Sequence, residues 1–191
     1  MFLSKPDILA YVKDDKIRFD PPIKGLADAD FQVSVDLRLG HEFTEFQTPA
    51  KRKHIPSVYI EPSIWGSADI WRHKEQDEYV LEPGCFVLAR TMEEVSLPSD
   101  LLGLVEGRSS FARLGIAIHL TAPKIDPGFS GAITLEMMNV GRLSVTLRAG
   151  IDKPAQLMFA KVSTPLGRGD VYGTGEGDIF QYQKDPIPHQ D

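Results

Sequence analysis

Apolar and polar residues alternate with a period of two in several short runs bounded by turn-forming residues, and this restricts the chain to a β-rich fold. In Ile133-Thr134-Leu135-Glu136-Met137, an extended backbone puts Ile133, Leu135 and Met137 on one face and Thr134 and Glu136 on the other. Asn139-Val140-Gly141-Arg142 then turns the chain, and Leu143, Val145 and Leu147 alternate again. Val33, Val35, Leu37 and Leu39 alternate with Ser34, Asp36 and Arg38, which predicts one half-buried strand. Further strands are expected at 85–91, 116–120 and 156–162. Glu82-Pro83-Gly84, Leu97-Pro98-Ser99-Asp100, Asp126-Pro127-Gly128 and Ala149-Gly150 supply the turns between them. Helix is confined to short pieces. One begins at Ser4, with Pro6 and Asp7 in its first turn and an Ile8, Leu9, Val12 stripe, and ends near Asp14-Asp15. Another of one or two turns is expected at 109–114. Residues 21–30 read as a loop and 50–77 as a long irregular excursion rich in charge and proline.

A chain of 191 residues suits one domain, placed at 1–165, followed by a glycine-rich polar tail at 166–191 that composition marks as mobile. The formal net charge of −6 argues against a general nucleic-acid binder but leaves room for a small anion held by a few arginines. The single cysteine, Cys85, permits no internal disulfide and no cysteine-rich zinc site, and reads as a small buried hydrophobe. The N-terminus lacks the apolar core of a signal peptide and no run is long enough for a membrane span, so a cytoplasmic protein is expected.

Three groups of residues carry potential chemistry. Gly107-Arg108-Ser109-Ser110-Phe111-Ala112-Arg113 joins two guanidinium groups and two hydroxyls at a helix start, which suits phosphate, although on composition alone a capped helix with solvated arginines is the plainer reading. Glu136, in an apolar strand, is either exposed on a sheet surface or held in a pocket where desolvation would fit it for proton transfer. Asp126-Pro127-Gly128-Phe129 is ordinary turn chemistry followed by a ring that packs on a sugar or on the core. His119, between Ile118 and Leu120, reads as structural.

These groups occur in one order at close spacing. Gly107-Arg108-Ser109-Ser110-x-x-Arg113-Leu114-Gly115, His119-x-Thr121-Ala122, Ile125-Asp126-Pro127-Gly128-Phe129-x-Gly131 and Thr134-Leu135-Glu136-x-x-Asn139 together resemble the dCTP deaminase family of the dUTPase-like superfamily. Ser34-Val35-Asp36-Leu37-Arg38-Leu39-Gly40 resembles the family's early strand. The resemblance implies a dUTPase-like distorted β-barrel or jelly roll with short helices, assembled as a homotrimer with sites at the subunit interfaces. It implies zinc-free hydrolysis of dCTP to dUTP and ammonia, supplying deoxyuridine nucleotides for thymidylate synthesis, with Mg²⁺ on the substrate triphosphate. Glu136 would be the general acid and base. Ser109 and the Ala122 carbonyl would hold the attacking water, with Arg113 beside the base. Arg108 and Ser110 would bind phosphate, and Asp126 the 3′-hydroxyl, with Phe129 crowding the 2′ position. Thr121, Thr134 and Leu135 would line the base pocket, and Tyr172 and Gln183 would close the tail over the phosphates.

The tail departs from the family. Ile179-Phe180 stands where a Lys-Tyr pair is usual, leaving Arg168 as the nearby cation, and Pro123 replaces a residue that is polar in some members. Three readings stay open: a dUTP-forming deaminase, a bifunctional enzyme that also releases pyrophosphate to give dUMP, and a non-catalytic deoxynucleotide sensor on the same scaffold. A plain dUTPase would leave Glu136 without an amine to protonate.

Overall fold

The structure is a computed structural model that describes residues 1–47 and 70–173. In chain order its elements are α1 (Lys5–Lys13), β1 (Arg18–Asp20), β2 (Ser34–Leu37), β3 (Leu39–Phe46), β4 (Trp71–Glu75), β5 (Glu78–Leu81), β6 (Phe86–Ser96), β7 (Leu101–Gly107), α2 (Ser109–Ala112), β8 (Ile116–Ala117), β9 (Lys124–Ile125), β10 (Ser130–Asn139), β11 (Val145–Arg148) and β12 (Ala155–Lys161). The mostly β architecture with short helices is as the alternation requires.

The strands form three antiparallel sheets. One runs β4-β3-β6-β10-β8, with β1 also paired to β6; a second runs β2-β12-β7-β9; the third pairs β11 with β5. The main apolar core of the described residues joins the two larger sheets. Ile133, Leu135 and Met137 of β10 and Val87 and Ala89 of β6 enter it from one side, and Val35, Leu37, Val105, Leu157 and Phe159 from the other. Burying such side chains contributes about 1.5–3 kcal/mol each. At the helix α1, Ser4 donates to Asp7 Oδ2 from its hydroxyl (2.8 Å) and its N–H (3.3 Å), and these bonds hold the Asp7 carboxyl below its ordinary pKa. Ile8 is fully buried beneath it.

Several expectations are corrected. The alternating run from Val33 to Leu39 is two strands, because Arg38 breaks it: its N–H and Nε donate to Glu93 Oε2 (2.8 Å) and Oε1 (2.6 Å), and the chain crosses from one sheet to the other. Val33 lies outside β2 and is exposed. Within the segment read as irregular, Trp71–Glu75 is a strand on β3; residues 48–69 lie outside the described ones. The strand expected at 116–120 stops at Ala117: the chain bends at Ile118, and further on the Leu120 N–H bonds a side-chain acceptor. Leu143 is exposed and precedes β11. Cys85 is exposed, because the Pro83-Gly84 turn ends there, closed by its N–H to the Glu82 carbonyl, before β6 begins.

The start of the tail has fixed partners. Leu166 N–H bonds the Ser99 carbonyl and Tyr172 N–H the Pro127 carbonyl. Residues 174–191, with Ile179, Phe180 and Gln183, lie outside the described residues. Among the described residues, no helix is long and apolar enough to cross a membrane.

Candidate active site

The site is organised by β10. Its core face is apolar, so Thr134 and Glu136 are displayed on the other, both half-buried. Directly across on β6, Glu136 faces Leu88 and Thr134 faces Arg90. On its opposite edge β10 pairs with β8 only at Met138 and Asn139, and the chain leaving β8 then bends beside Glu136. The Leu120 N–H donates to Glu136 Oε2 at 3.1 Å, which fixes one carboxylate oxygen.

The loop that follows β8 ties this carboxylate to the arginine–serine segment. A Cβ on Gly107 would come within 3.1 Å of Ile118 Cγ1, so the end of β7 packs closely against the loop. His119 Nε2 lies 3.3 Å from Glu106 Oε2, while its Nδ1 is buried with no hydrogen-bond partner among the described residues. At the far end of α2, Gly115 has φ +87, and a side chain there would strike the Gly141 backbone at 2.5 Å. That approach sets α2 against the end of β10, where buried Asn139 accepts the Gly141 N–H and donates to the Leu81 and Leu143 carbonyls.

The proposed phosphate residues sit at this junction. Arg108 is the N-cap of α2 in extended conformation (φ −71, ψ 138). Its guanidinium Nη1 is 3.3 Å from Asp36 Oδ2, and its N–H bonds the Pro154 carbonyl. Ser109, Ser110 and Arg113 are exposed, as are Thr121 and Ala122. α2 is a single turn of four residues, so its dipole is slight and anion binding would rest on the guanidinium and hydroxyl groups.

Asp126, Phe129 and Tyr172 form a second group on the turn before β10. Asp126 Oδ1 pairs with Lys124 Nζ at 2.7 Å. Phe129 is 2% exposed, with its ring tilted against Tyr172 at 5.6 Å between centroids. Gly128, at φ +85, accepts the close approach of Val171, which a Cβ would meet at 2.7 Å. The leading tail residues are thus seated on the same turn that carries Asp126 and Phe129.

Two candidates have side chains closed off in the core, Leu135 and Phe129, and Leu135 could reach a ligand only through its backbone. Gln183 lies outside the described residues. Sequence reasoning did not single out the Leu120 N–H, the Glu106 partner of His119, or Lys124. A backbone donor and pairs made across strands leave no pattern in a linear string, although Lys124 stands two places before Asp126. Among the described residues, no group of three or more His, Cys, Asp or Glu side chains is placed to hold a metal ion.

The sequence matches the dCTP deaminase-like family over residues 2–162. The chain belongs to this family. Among its relatives, a protein of Haloarcula marismortui named dCTP deaminase is 41% identical over 97% of this chain and 92% of its own length. A Halobacterium salinarum relative named dCTP deaminase, dUMP-forming, is 39% identical over the same shares. The crystal structure of 2′-deoxycytidine 5′-triphosphate deaminase from Agrobacterium tumefaciens aligns with a TM-score of 0.61 at 23% identity, covering 83% of this chain. The protein spans about half (47%) of that chain's length, and the likeness is one of fold. In this dCTP deaminase-like chain, the matched region includes the whole arginine–serine segment, the loop at Thr121–Ala122, and β10 with Glu136.

Proposed function

We propose that the protein hydrolyses dCTP to dUTP and ammonia, with Glu136 as the proton carrier. The observation that carries this reading is the seating of Glu136: half-buried on the polar face of β10, with Oε2 held by the Leu120 N–H beside the loop bearing Thr121 and Ala122. Relatives about 40% identical along almost the whole chain bear the name dCTP deaminase.

Water adds to C4 of the cytosine and gives a proton to Glu136, which passes it to the ring N3. The resulting C4 hydroxyl then yields its proton, again through Glu136, to the amino group. Ammonia leaves as the C4 carbonyl forms. Such acid–base catalysis contributes about 10²–10⁴-fold, and the remainder comes from orientation and complementarity to the tetrahedral intermediate. Ser109 and the Ala122 carbonyl hold the water, and Arg113 stands beside the base. Arg108 and Ser110 take phosphate oxygens of a magnesium triphosphate, Asp126 takes the 3′-hydroxyl, and Thr121, Thr134 and the Leu135 backbone edge the base. Tyr172 and Gln183 belong to the closing tail. Zinc deaminases carry a His-x-Glu and Pro-Cys-x-x-Cys signature whose His and two Cys hold the metal, and a chain with one cysteine cannot supply the second half of it.

Ser109, Ser110, Arg113, Thr121 and Ala122 are exposed on one protomer, together with the apolar Leu114, Leu120 and Val140. A homotrimer that covers these groups completes the site and excludes water from it. Cleavage of the product to dUMP and pyrophosphate is the second reading, favoured by the relatives named dUMP-forming. Incubation with dCTP, scoring ammonia and pyrophosphate together, tests all readings. Ammonia alone supports the first and both products the second, whereas neither leaves a deoxynucleotide sensor.

A further inference from the structure

The early strand motif from Ser34 to Gly40 has no place in the mechanism above, yet its polar side chains reach the phosphate-binding end of the site. Asp36 of β2 stands opposite Gln156 of β12, and Gln156 opposite Glu106 of β7, so the three side chains form one row across the four-stranded sheet. Ser34 Oγ donates to Gln156 Oε1 at 3.0 Å, and Gln156 Nε2 donates to the Gly107 carbonyl at 3.2 Å. The next residue is Arg108, whose Nη1 meets Asp36 Oδ2 at 3.3 Å. The other carboxylate of the row, Glu106, is turned to His119. Arg108 is therefore held at three points: its N–H by the Pro154 carbonyl, the carbonyl before it by Gln156, and its guanidinium by Asp36.

We propose that Asp36 is a positioning residue for nucleotide phosphate, acting through Arg108. A free arginine side chain samples many rotamers, and ordering it on binding costs entropy that a pre-placed side chain does not lose again. One carboxylate engages one edge of the guanidinium, and a guanidinium has five N–H donors. The remaining donors stay available to a phosphate, so Asp36 acts on the nucleotide through Arg108 without touching it. Both side chains keep roughly a third of their surface in water (39% and 34%), so the pair is a guide that a phosphate can share rather than a buried lock. This inference rests on the reading of Arg108 as a phosphate ligand.

The test compares Asp36→Ala and Asp36→Asn with the parent and with Arg108→Ala, using calorimetric binding of magnesium dCTP and steady-state deamination. Asp36→Ala is expected to weaken dCTP binding and raise KM about 5–10-fold with kcat within about twofold, and Asp36→Asn to recover part of the loss. In the Arg108→Ala background, Asp36→Ala is expected to add nothing. Unchanged or tighter binding by Asp36→Ala overturns the inference, and so does a penalty that persists in full without Arg108. A parent protein that binds no dCTP overturns instead the reading on which it rests. If Asp36→Ala does not fold, the same comparison is made with Asp36→Asn, where a twofold or greater loss that vanishes without Arg108 supports the proposal and its absence overturns it.

Discussion

The Leu120 backbone N–H lies 3.1 Å from Glu136 Oε2, so the loop after β8 and the central strand β10 meet at a carboxylate. A backbone donor cannot rotate away as a side chain can. The bond fixes the orientation of Glu136.

Replacing the carboxylate by an amide should separate binding from chemistry. Glu136→Gln keeps the Leu120 acceptor and the side-chain volume but cannot carry protons. It is expected to bind dCTP within a few-fold of the parent in calorimetry.

Asn139 is predicted to matter for stability and, through it, for the position of α2. It is fully buried and makes three hydrogen bonds, to the Leu81 and Leu143 carbonyls and from the Gly141 N–H. Asn139→Ala leaves those backbone groups without partners and is expected to lower unfolding stability by roughly 2–4 kcal/mol, measured by urea denaturation.

The corner between the two large sheets should be similarly sensitive. Glu93 is 1% exposed and takes both the N–H and the Nε of Arg38. Glu93→Ala removes both and is expected to cost about 2–4 kcal/mol, the partial exposure of Arg38 keeping the loss below that of a wholly buried pair.

Alkaline stability offers a test of one particular pair. Burial first, then the hydrogen bond to Asp100, pushes the Tyr11 hydroxyl up to about 12 from an ordinary 10. The folded state holds this proton more tightly than the unfolded one. The stabilisation is therefore complete below pH 10 and is lost as pH rises from 10 through 12. Tyr11→Phe is expected to flatten that part of a denaturation-versus-pH curve. Burial and Glu45 raise Tyr79 further still, so its contribution fails at higher pH.

Metal dependence is expected to follow the substrate. After exhaustive chelation, Mg²⁺ alone should restore full turnover of dCTP, and a requirement for added zinc would contradict the role given to Glu136.

Much of this arrangement was legible in the linear string because β10 is nearly a pure period-two pattern. Its alternation fixes which face Glu136 takes whatever it packs against, and the turns at Asp126-Pro127-Gly128 and Asn139 to Arg142 fix where the strand begins and ends. The break at Arg38 was not legible. Val33 to Leu39 alternates without interruption, and the bend is imposed by Glu93, fifty-five residues away. Cys85 is exposed although its residue type favours burial, because the turn beside it decides its position. The ties on Arg108 and His119 join β2, β7 and β12 across the sheet, and register between distant strands is a property of the fold.

Ammonia release from dCTP, followed for the parent and Glu136→Gln side by side, decides whether Glu136 carries the protons. The parent is expected to produce ammonia steadily and the variant to lose about 10²–10⁴-fold. Deamination by Glu136→Gln at close to the parent rate would contradict that role.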